Sequence, residues 1–345
     1  MRTPIDCNGK HILISRTDSI GDVALTLPLV AWLKDTYPTC RIAFLCRRYT
    51  EALVACYAGV DTVLTLDALH LLSPTDQVQR IRDLRIDVAL HVFPRQDLAR
   101  LVKRAGIPVR IGTSHRWFHL LTCNVRPDFS RRRSPHHEAQ LNFELARPLG
   151  LARLPDRADL DRWTRRFRAP VISLPPALAA LPSSGRPVAI LHPKSRGSAR
   201  EWPMDHYLEL ARRLAERDFH VVFTGTEDDG ARFRDLLPRH PHITDSTGLL
   251  SLEQLIVLID RSQVLVACST GPLHIAGLLN KRAIGLFSPR VPIHPGRWMP
   301  LGEHAEAIVH DAQCPTCRTG DDCPCITRIS ASRICDLILN PAERQ

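Results

Sequence analysis

Short apolar runs, each bounded by polar turns and followed by a helical stretch, recur along the chain in two series. In the first, "HILIS" (11–15), "RIAFLC" (41–46), "TVLTLD" (62–67), "VALHVF" (88–93) and "VRIG" (109–112) predict strands. Helical patterning predicts helices over 22–36, ending before Pro38, and over "TEALVACYAG" (50–59). The second series starts near Arg186. "PVAILHP" (187–193), "HVVFTGT" (220–226), "QVLVACST" (263–270) and "RAIGLFS" (282–288, the last clear strand) alternate with helices over 204–217, 253–262 and 271–280.

Strands that alternate with helices argue for βαβ units and parallel sheets. The expected fold is therefore α/β, with two Rossmann-like doubly wound parallel-sheet domains. The Pro- and Arg-rich run between the series places domain boundaries at 1–170, a linker at 171–186 and a second domain at 187–345. Such sheets bind ligands outside their carboxyl edges, and two in series are expected to leave a cleft where those edges face.

The chain has 345 residues, the length of about two ordinary domains, and 44% hydrophobic composition marks it as globular. No apolar run has the length of a leader peptide or a membrane span, so the expectation is a cytoplasmic protein, peripheral to the inner membrane at most. Charge sharpens the picture. Residues 1–185 hold 27 Lys and Arg against 17 Asp and Glu, whereas residues 186–345 hold 19 of each. Within 95–137, ten cations face only Asp97 and Asp128. The first half is expected to meet a polyanion. Few aromatics are interleaved beyond Trp117 and Phe118, so nucleic acid is not the expected partner.

Four loops that follow predicted strands carry candidate chemistry. In "SRTDSIGDVALTLPL" (15–29), Gly21 lets the backbone approach a ligand, and Asp22 opens a helix whose dipole favours its ionised form. A carboxylate at a ligand edge can act as a general base or merely cap the helix. "LHPKSRGSAREWP" (191–203) offers Lys194, Ser195, Arg196 and Arg200 to a phosphate. In "CSTGPLHIAGLLN" (268–280), Ser269, Thr270 and Gly271 precede a helix whose free N–H groups suit a diphosphate, with His274 in its first turn. In "FTGTEDDG" (223–230), Glu227 or Asp228 could accept from ribose hydroxyls.

G-x-G-x-x-G is absent after the first strand, and so is G-x-x-x-x-G-K-[ST] anywhere, which disfavours a dinucleotide oxidoreductase and a P-loop NTPase. The sole D-x-D, Asp159-Leu160-Asp161, lies in an Arg-rich segment and is not taken as a metal–nucleotide site.

Together "TDSIGDVALTLP", "LHPKSRGSAREWP" and "STGPLH" resemble glycosyltransferase family 9, the bacterial ADP-heptose–lipopolysaccharide heptosyltransferases. The resemblance implies a GT-B fold with an N-terminal acceptor domain and a C-terminal nucleotide-sugar domain. It implies inversion at the anomeric carbon, ADP-heptose as donor, no required metal or other cofactor, and Asp22 as general base. Lys194, Ser195 and Arg200 would line the diphosphate, Ser269, Thr270 and Gly271 would close on it, and Glu227 would sit near the ribose. Gly21 and the cations Arg131, Arg132 and Arg133 are assigned to the anionic inner-core acceptor. Arg200 stands where the family often has lysine, and Ser269 where many members have an aspartate that contacts the sugar, which leaves the donor sugar open.

Eleven cysteines are present, five of them in the tail: Cys314, Cys317, Cys323, Cys325 and Cys335. C-x2-C followed by C-x-C could hold zinc or iron, but the second pair lacks the usual two-residue spacing, and no metal is expected. Two alternatives stand beside this reading. One is a protein heptosyltransferase of the autotransporter-modifying kind, with a metal-binding tail. The other is a non-enzymatic binder of sugar nucleotides or nucleic acid.

Overall fold

The structure, a computed structural model, describes residues 3–132, 134–181, 185–319 and 324–340. The chain forms two compact units, Met1–Arg168 and Ala169–Gln345.

Unit 1 holds β1 (His11–Ser15), β2 (Arg41–Cys46), β3 (Thr62–Thr65), β4 (Val88–His91) and β5 (Val109–Ile111), all parallel, in the order β3-β2-β1-β4-β5. Leu13, Ala43, Leu45 and Ala89 point from one sheet face onto Val78, Ile81, Leu98 and Val102 of two covering helices. β1 is buried at all five positions, as a strand covered on both faces must be.

Unit 2 holds β6 (Val188–His192), β7 (His220–Phe223), β8 (Ile243–Asp245), β9 (Val264–Cys268), β10 (Arg282–Leu286) and β11 (Ala305–Ile308). Their order, β11-β10-β9-β6-β7-β8, is the six-stranded doubly wound arrangement, again all parallel. The core packs Ala189, Leu191, Val221, Phe223, Val264 and Val266 against Tyr207, Leu210 and Leu214, and against Ile334 and Ile338 of the last helix.

Several elements differ from the sequence expectation. The helix over 22–36 is two, Ile20–Ala24 and Leu27–Thr36. Pro28 has no N–H to give the carbonyl of Ala24, and the chain breaks there. Strands β8 and β11 were not expected: three or four half-buried residues give too short a pattern. Asp159 and Asp161 lie on the helix Arg157–Thr164 and pair with Arg153, Arg157 and Arg162. Among the described residues no helix is long and apolar enough to cross a membrane.

Each sheet has one point where the chain reverses its direction of winding, between β1 and β4 in unit 1 and between β6 and β9 in unit 2. Ligands bind outside the carboxyl ends of strands at such points. The loop carrying Asp22 leaves β1. The loops carrying Lys194 and Thr270 leave β6 and β9.

Candidate active site

In unit 1, Ser19 is the N-cap of the helix Ile20–Ala24, and Gly21 and Asp22 fall in its first turn. The Ser19 hydroxyl donates to Asp22 Oδ2 at 2.5 Å, and the Arg16 guanidinium pairs with Asp22 Oδ1. The Asp22 side chain keeps 18% exposure, while that of Arg16 keeps only 3%. Arg16 also donates through Nε to Asp18 at 2.7 Å, and through its terminal nitrogens to Glu138 at 3.4 Å and Asn142 at 3.2 Å. Asn142 in turn donates to the carbonyl of Leu25 at 2.9 Å, and Thr26 donates to the carbonyl of Asp22 at 2.8 Å. Asp22 therefore sits on a turn braced from both sides.

Burial, opposed by Arg16 and reinforced by the Asp22 charge, pushes the Asp18 carboxyl up to about 6. Arg16 is held firmly in its charged form, because Asp22, Asp18 and Glu138 outweigh the cost of burial. Sequence reading missed Arg16, Asp18, Glu138 and Asn142. Asp18 and Arg16 stand within the quoted motif, but nothing local tells that Glu138, 122 residues away, meets them.

Arg131 belongs to the same bracket. It pairs with Glu138 and donates to the Val92 carbonyl at 3.1 Å and Asn142 at 3.0 Å. Arg132 is exposed, and Arg133 lies outside the described residues. His91, across from Ser15 at the end of β4, was also missed. It is buried against His119, ring centroids 5.6 Å apart, with neither ring nitrogen hydrogen-bonded. Burial, and then the proximity of His119 and Arg110, pushes it down to about 3.

In unit 2, Arg196 and Gly197 adopt consecutive left-handed conformations, φ 50° and 81°, which fold the loop after β6 back on itself. Glu201 organises it. Its carboxylate accepts from Lys194 Nζ at 2.9 Å, the Ser195 N–H at 2.8 Å and the Ser195 hydroxyl at 3.2 Å. Burial raises the Glu201 carboxyl, but these donors prevail and hold it below the usual range. Ser198 donates to the Ser269 carbonyl at 3.2 Å, and the Trp202 N–H to Cys268 Sγ at 3.3 Å, which tie this loop to the end of β9. Arg200 is half-buried on the same loop.

Thr270 is the N-cap of the helix Gly271–Leu278, yet its side chain makes no capping bond. Its buried hydroxyl has no hydrogen-bond partner. A buried orphan hydroxyl beside free helix N–H groups suits an incoming anion. Ser269 precedes it and His274 is buried within the first turn of the same helix.

Glu227 opens the helix Glu227–Gly230 and is gripped by Arg234 through bonds of 2.8 and 3.0 Å, which lower its carboxyl. Asp229, missed from sequence, is the buried acid of this loop and accepts from the N–H and hydroxyl of Thr226 at 2.9 and 2.7 Å. Beside it, burial pushes His192 down to about 4.

The tail brings Cys314, Cys317 and Cys325 together, all buried, with sulfurs within 4.8 Å of one another. Three soft donors at this spacing could hold a zinc- or iron-class ion. Cys323 lies outside the described residues.

The chain matches the model of glycosyltransferase family 9 (heptosyltransferase) over residues 77–325. It is 24% identical to lipopolysaccharide heptosyltransferase 2 of Escherichia coli K12, over 81% of this chain and 83% of that one. In fold it is similar to E. coli ADP-heptose lps heptosyltransferase II, with a TM-score of 0.73 at 20% identity over 96% and 98% of the two chains. It is also similar to E. coli heptosyltransferase WaaC with ADP, with a TM-score of 0.72 at 17% identity over 96% and 100%. A family match across most of the chain, joined to two parallel-sheet domains of GT-B type, makes this chain a member of glycosyltransferase family 9 and a glycosyltransferase.

Proposed function

We propose that the protein moves a heptose from ADP-heptose to a hydroxyl of the anionic lipopolysaccharide inner core, with inversion at the anomeric carbon. The observation that carries this is the Asp22 carboxylate, held by Arg16 and Ser19 at the switch point of unit 1 and still open to solvent. Asp22 takes the proton from the acceptor hydroxyl. That oxygen forms its bond to C1 from the face opposite the diphosphate, and the C1–O bond to phosphate breaks with its electron pair leaving on ADP.

Unit 2 receives that charge. Lys194, Ser195 and Arg200 on one loop, and Thr270 and the N–H groups from Gly271 onward on the other, replace a metal ion as stabilisers of the leaving diphosphate. His274 lies in the same helical turn, and Ser269 stands next to the sugar. Glu227 serves the ribose, with Arg234 fixing its carboxylate. The donor names in the relatives' descriptions support this reading, as does the neutral charge balance of residues 186–345 beside the basic first half.

For the acceptor, Gly21 lines the approach to Asp22 while Arg132, with Arg133, offers outward charge to carboxylates and phosphates. Arg131, half-buried and paired with Glu138, braces the turn and keeps part of its charge at the surface for the same acceptor. The acceptor being a lipid-linked glycan, the enzyme works at a membrane surface.

A donor panel tests the proposal. Full-length protein is mixed with ADP-heptose, UDP-sugars or GDP-sugars and heptose-deficient core glycolipid, and nucleotide release and product mass are followed. Release of ADP with a heptose added to the glycolipid is expected. Transfer from a UDP- or GDP-sugar alone, or to a protein serine alone, overturns it.

A further inference from the structure

The helix Trp117–Thr122 carries a crest that the transfer reaction does not use. Trp117, Leu120 and Leu121 are 63%, 59% and 66% exposed. They stand at positions i, i+3 and i+4, which share one stripe of a helix. The opposite side is anchored: His119 and Thr122 are buried, His119 Nδ1 lies 2.9 Å from the Thr113 carbonyl, and Arg110 Nε donates to the Thr122 carbonyl at 2.7 Å. The exposed stripe is thus a fixed feature of the fold.

Cations bracket it. Lys103 Nζ donates to the Leu121 carbonyl at 2.8 Å, Arg126 donates to the Cys123 carbonyl at 2.5 Å, and Arg116 is the residue before the helix. Between residues 98 and 127 the sequence has six Lys and Arg and not one Asp or Glu. Arg100, Lys103, Arg104, Arg116 and Arg126 are all exposed.

We infer that this crest docks the protein on an anionic membrane leaflet, with Trp117, Leu120 and Leu121 entering the headgroup region and the surrounding cations meeting lipid phosphates. Charge complementarity selects this occupant. Three side chains on a single helical turn fall far short of the ~800 Å² per partner that a stable protein interface buries. A small apolar insertion joined to basic charge is instead the pair of weak signals that together hold a protein at a bilayer surface. Tryptophan is also the side chain best suited to that depth. The inference rests on the proposed lipid-linked acceptor for its purpose alone; membrane binding is measured without any sugar transfer.

The test is flotation of the full-length protein with vesicles of phosphatidylcholine alone and of phosphatidylcholine mixed with phosphatidylglycerol. Binding to the mixed vesicles only, weakened by salt, is expected. Trp117→Ser combined with Leu121→Ser should lower partitioning by about tenfold or more, and Arg104→Glu with Arg116→Glu should do likewise. All four positions are exposed, and far-UV circular dichroism with an ADP-binding isotherm checks that each variant is folded. Fluorescence quenching by lipids brominated along the acyl chain should fall when Trp117 is replaced. Failure of the wild-type chain to bind the mixed vesicles overturns the inference. So does equal binding by the Trp117/Leu121 variant, or equal binding to both vesicle types. A crest that instead captures a second copy of the chain, seen as a dimer abolished by the same variant, overturns it as well. Loss of transfer activity with vesicle binding intact would count against the proposed reaction and leave this inference standing.

Discussion

Arg16 and Asp22 form an ion pair at the carboxyl end of β1, and the same guanidinium bonds Asp18, Glu138 and Asn142. One buried cation therefore serves three carboxylates, of which Asp18 and Asp22 stay partly exposed and Glu138 is buried. Asp22→Asn should reduce turnover by about 10²–10⁴-fold and leave ADP affinity nearly unchanged, as expected for loss of a general base. Turnover close to wild type, followed by ADP release, would remove Asp22 from that role.

Arg16→Ala should behave differently. It removes the buried guanidinium that Asp18, Asp22 and Glu138 share, leaving Glu138 to Arg131 and Asp22 to Ser19, and loss of one partner of a buried ion pair costs up to about 3–5 kcal/mol. Urea unfolding should show the loss directly. Arg16→Lys keeps the charge but cannot reach Asp18, Asp22, Glu138 and Asn142 at once, and it should lower kcat more than stability. An Arg16→Ala protein as stable as the wild type would mean that the network contributes nothing to the fold.

Thr270→Val is nearly isosteric and removes a hydroxyl that has no partner within the chain. It should cost little stability and weaken ADP binding by the worth of a hydrogen bond to a charged group, about 1.5–3 kcal/mol. Arg200→Ala should weaken ADP comparably. Calorimetry giving unchanged ADP affinity for both, in folded protein, would exclude these loops from the diphosphate site.

His91 sets an acid limit on stability. Its folded value near 3 lies below the ordinary 6.5 of histidine, so the unfolded chain takes up the proton first. Stability is full above 6.5 and falls as pH drops toward 3. His192, near 4, adds in the same direction. Asp18 has the opposite sign: its folded value near 6 exceeds the ordinary 3.8, so its contribution is full below 3.8 and is lost as pH rises through 6. Urea midpoints across this range should show a shallower acid limb in His91→Phe. An unchanged limb would show that the buried imidazole is not what acid attacks.

Acceptor recognition should depend on salt more than donor recognition does. Exposed charges are screened over about 8 Å at physiological ionic strength, and the basic excess lies in the first half of the chain. Added salt, or Arg132→Glu, should raise the acceptor KM well above any rise in donor KM. Equal sensitivity of both would remove Arg132 from acceptor recognition.

In the proposed mechanism side chains and a helix N-terminus receive the leaving diphosphate, so chelation should not stop transfer. EDTA-treated protein should keep its turnover, with elemental analysis before and after reporting whether the thiols of Cys314, Cys317 and Cys325 held an ion. Activity lost to chelator and restored by Mg²⁺ would contradict a metal-free mechanism.

The alternation of buried strands and helices was written in the sequence, because a parallel strand covered on both faces must be apolar along its length and its neighbours must be helical. "HILIS", "PVAILHP" and "QVLVACST" each ended in a loop with polar or charged residues, so Asp22, Lys194 and Thr270 could be named as candidates from local sequence. Strand order could not. It puts β4 beside β1 and β9 beside β6, and so decides that His91 faces Ser15 and that Ser198 meets Ser269. The ion-pair bracket of Arg16, Glu138 and Arg131 was equally hidden. Its members are 122 and 115 residues from Arg16, and a guanidinium becomes a structural cation only when the fold takes it out of water and gives it carboxylates to hold. The basic residues of 95–137 showed the same limit. Composition gave their charge, but only the fold pairs the half-buried Arg131 with Glu138 and leaves Arg132 exposed.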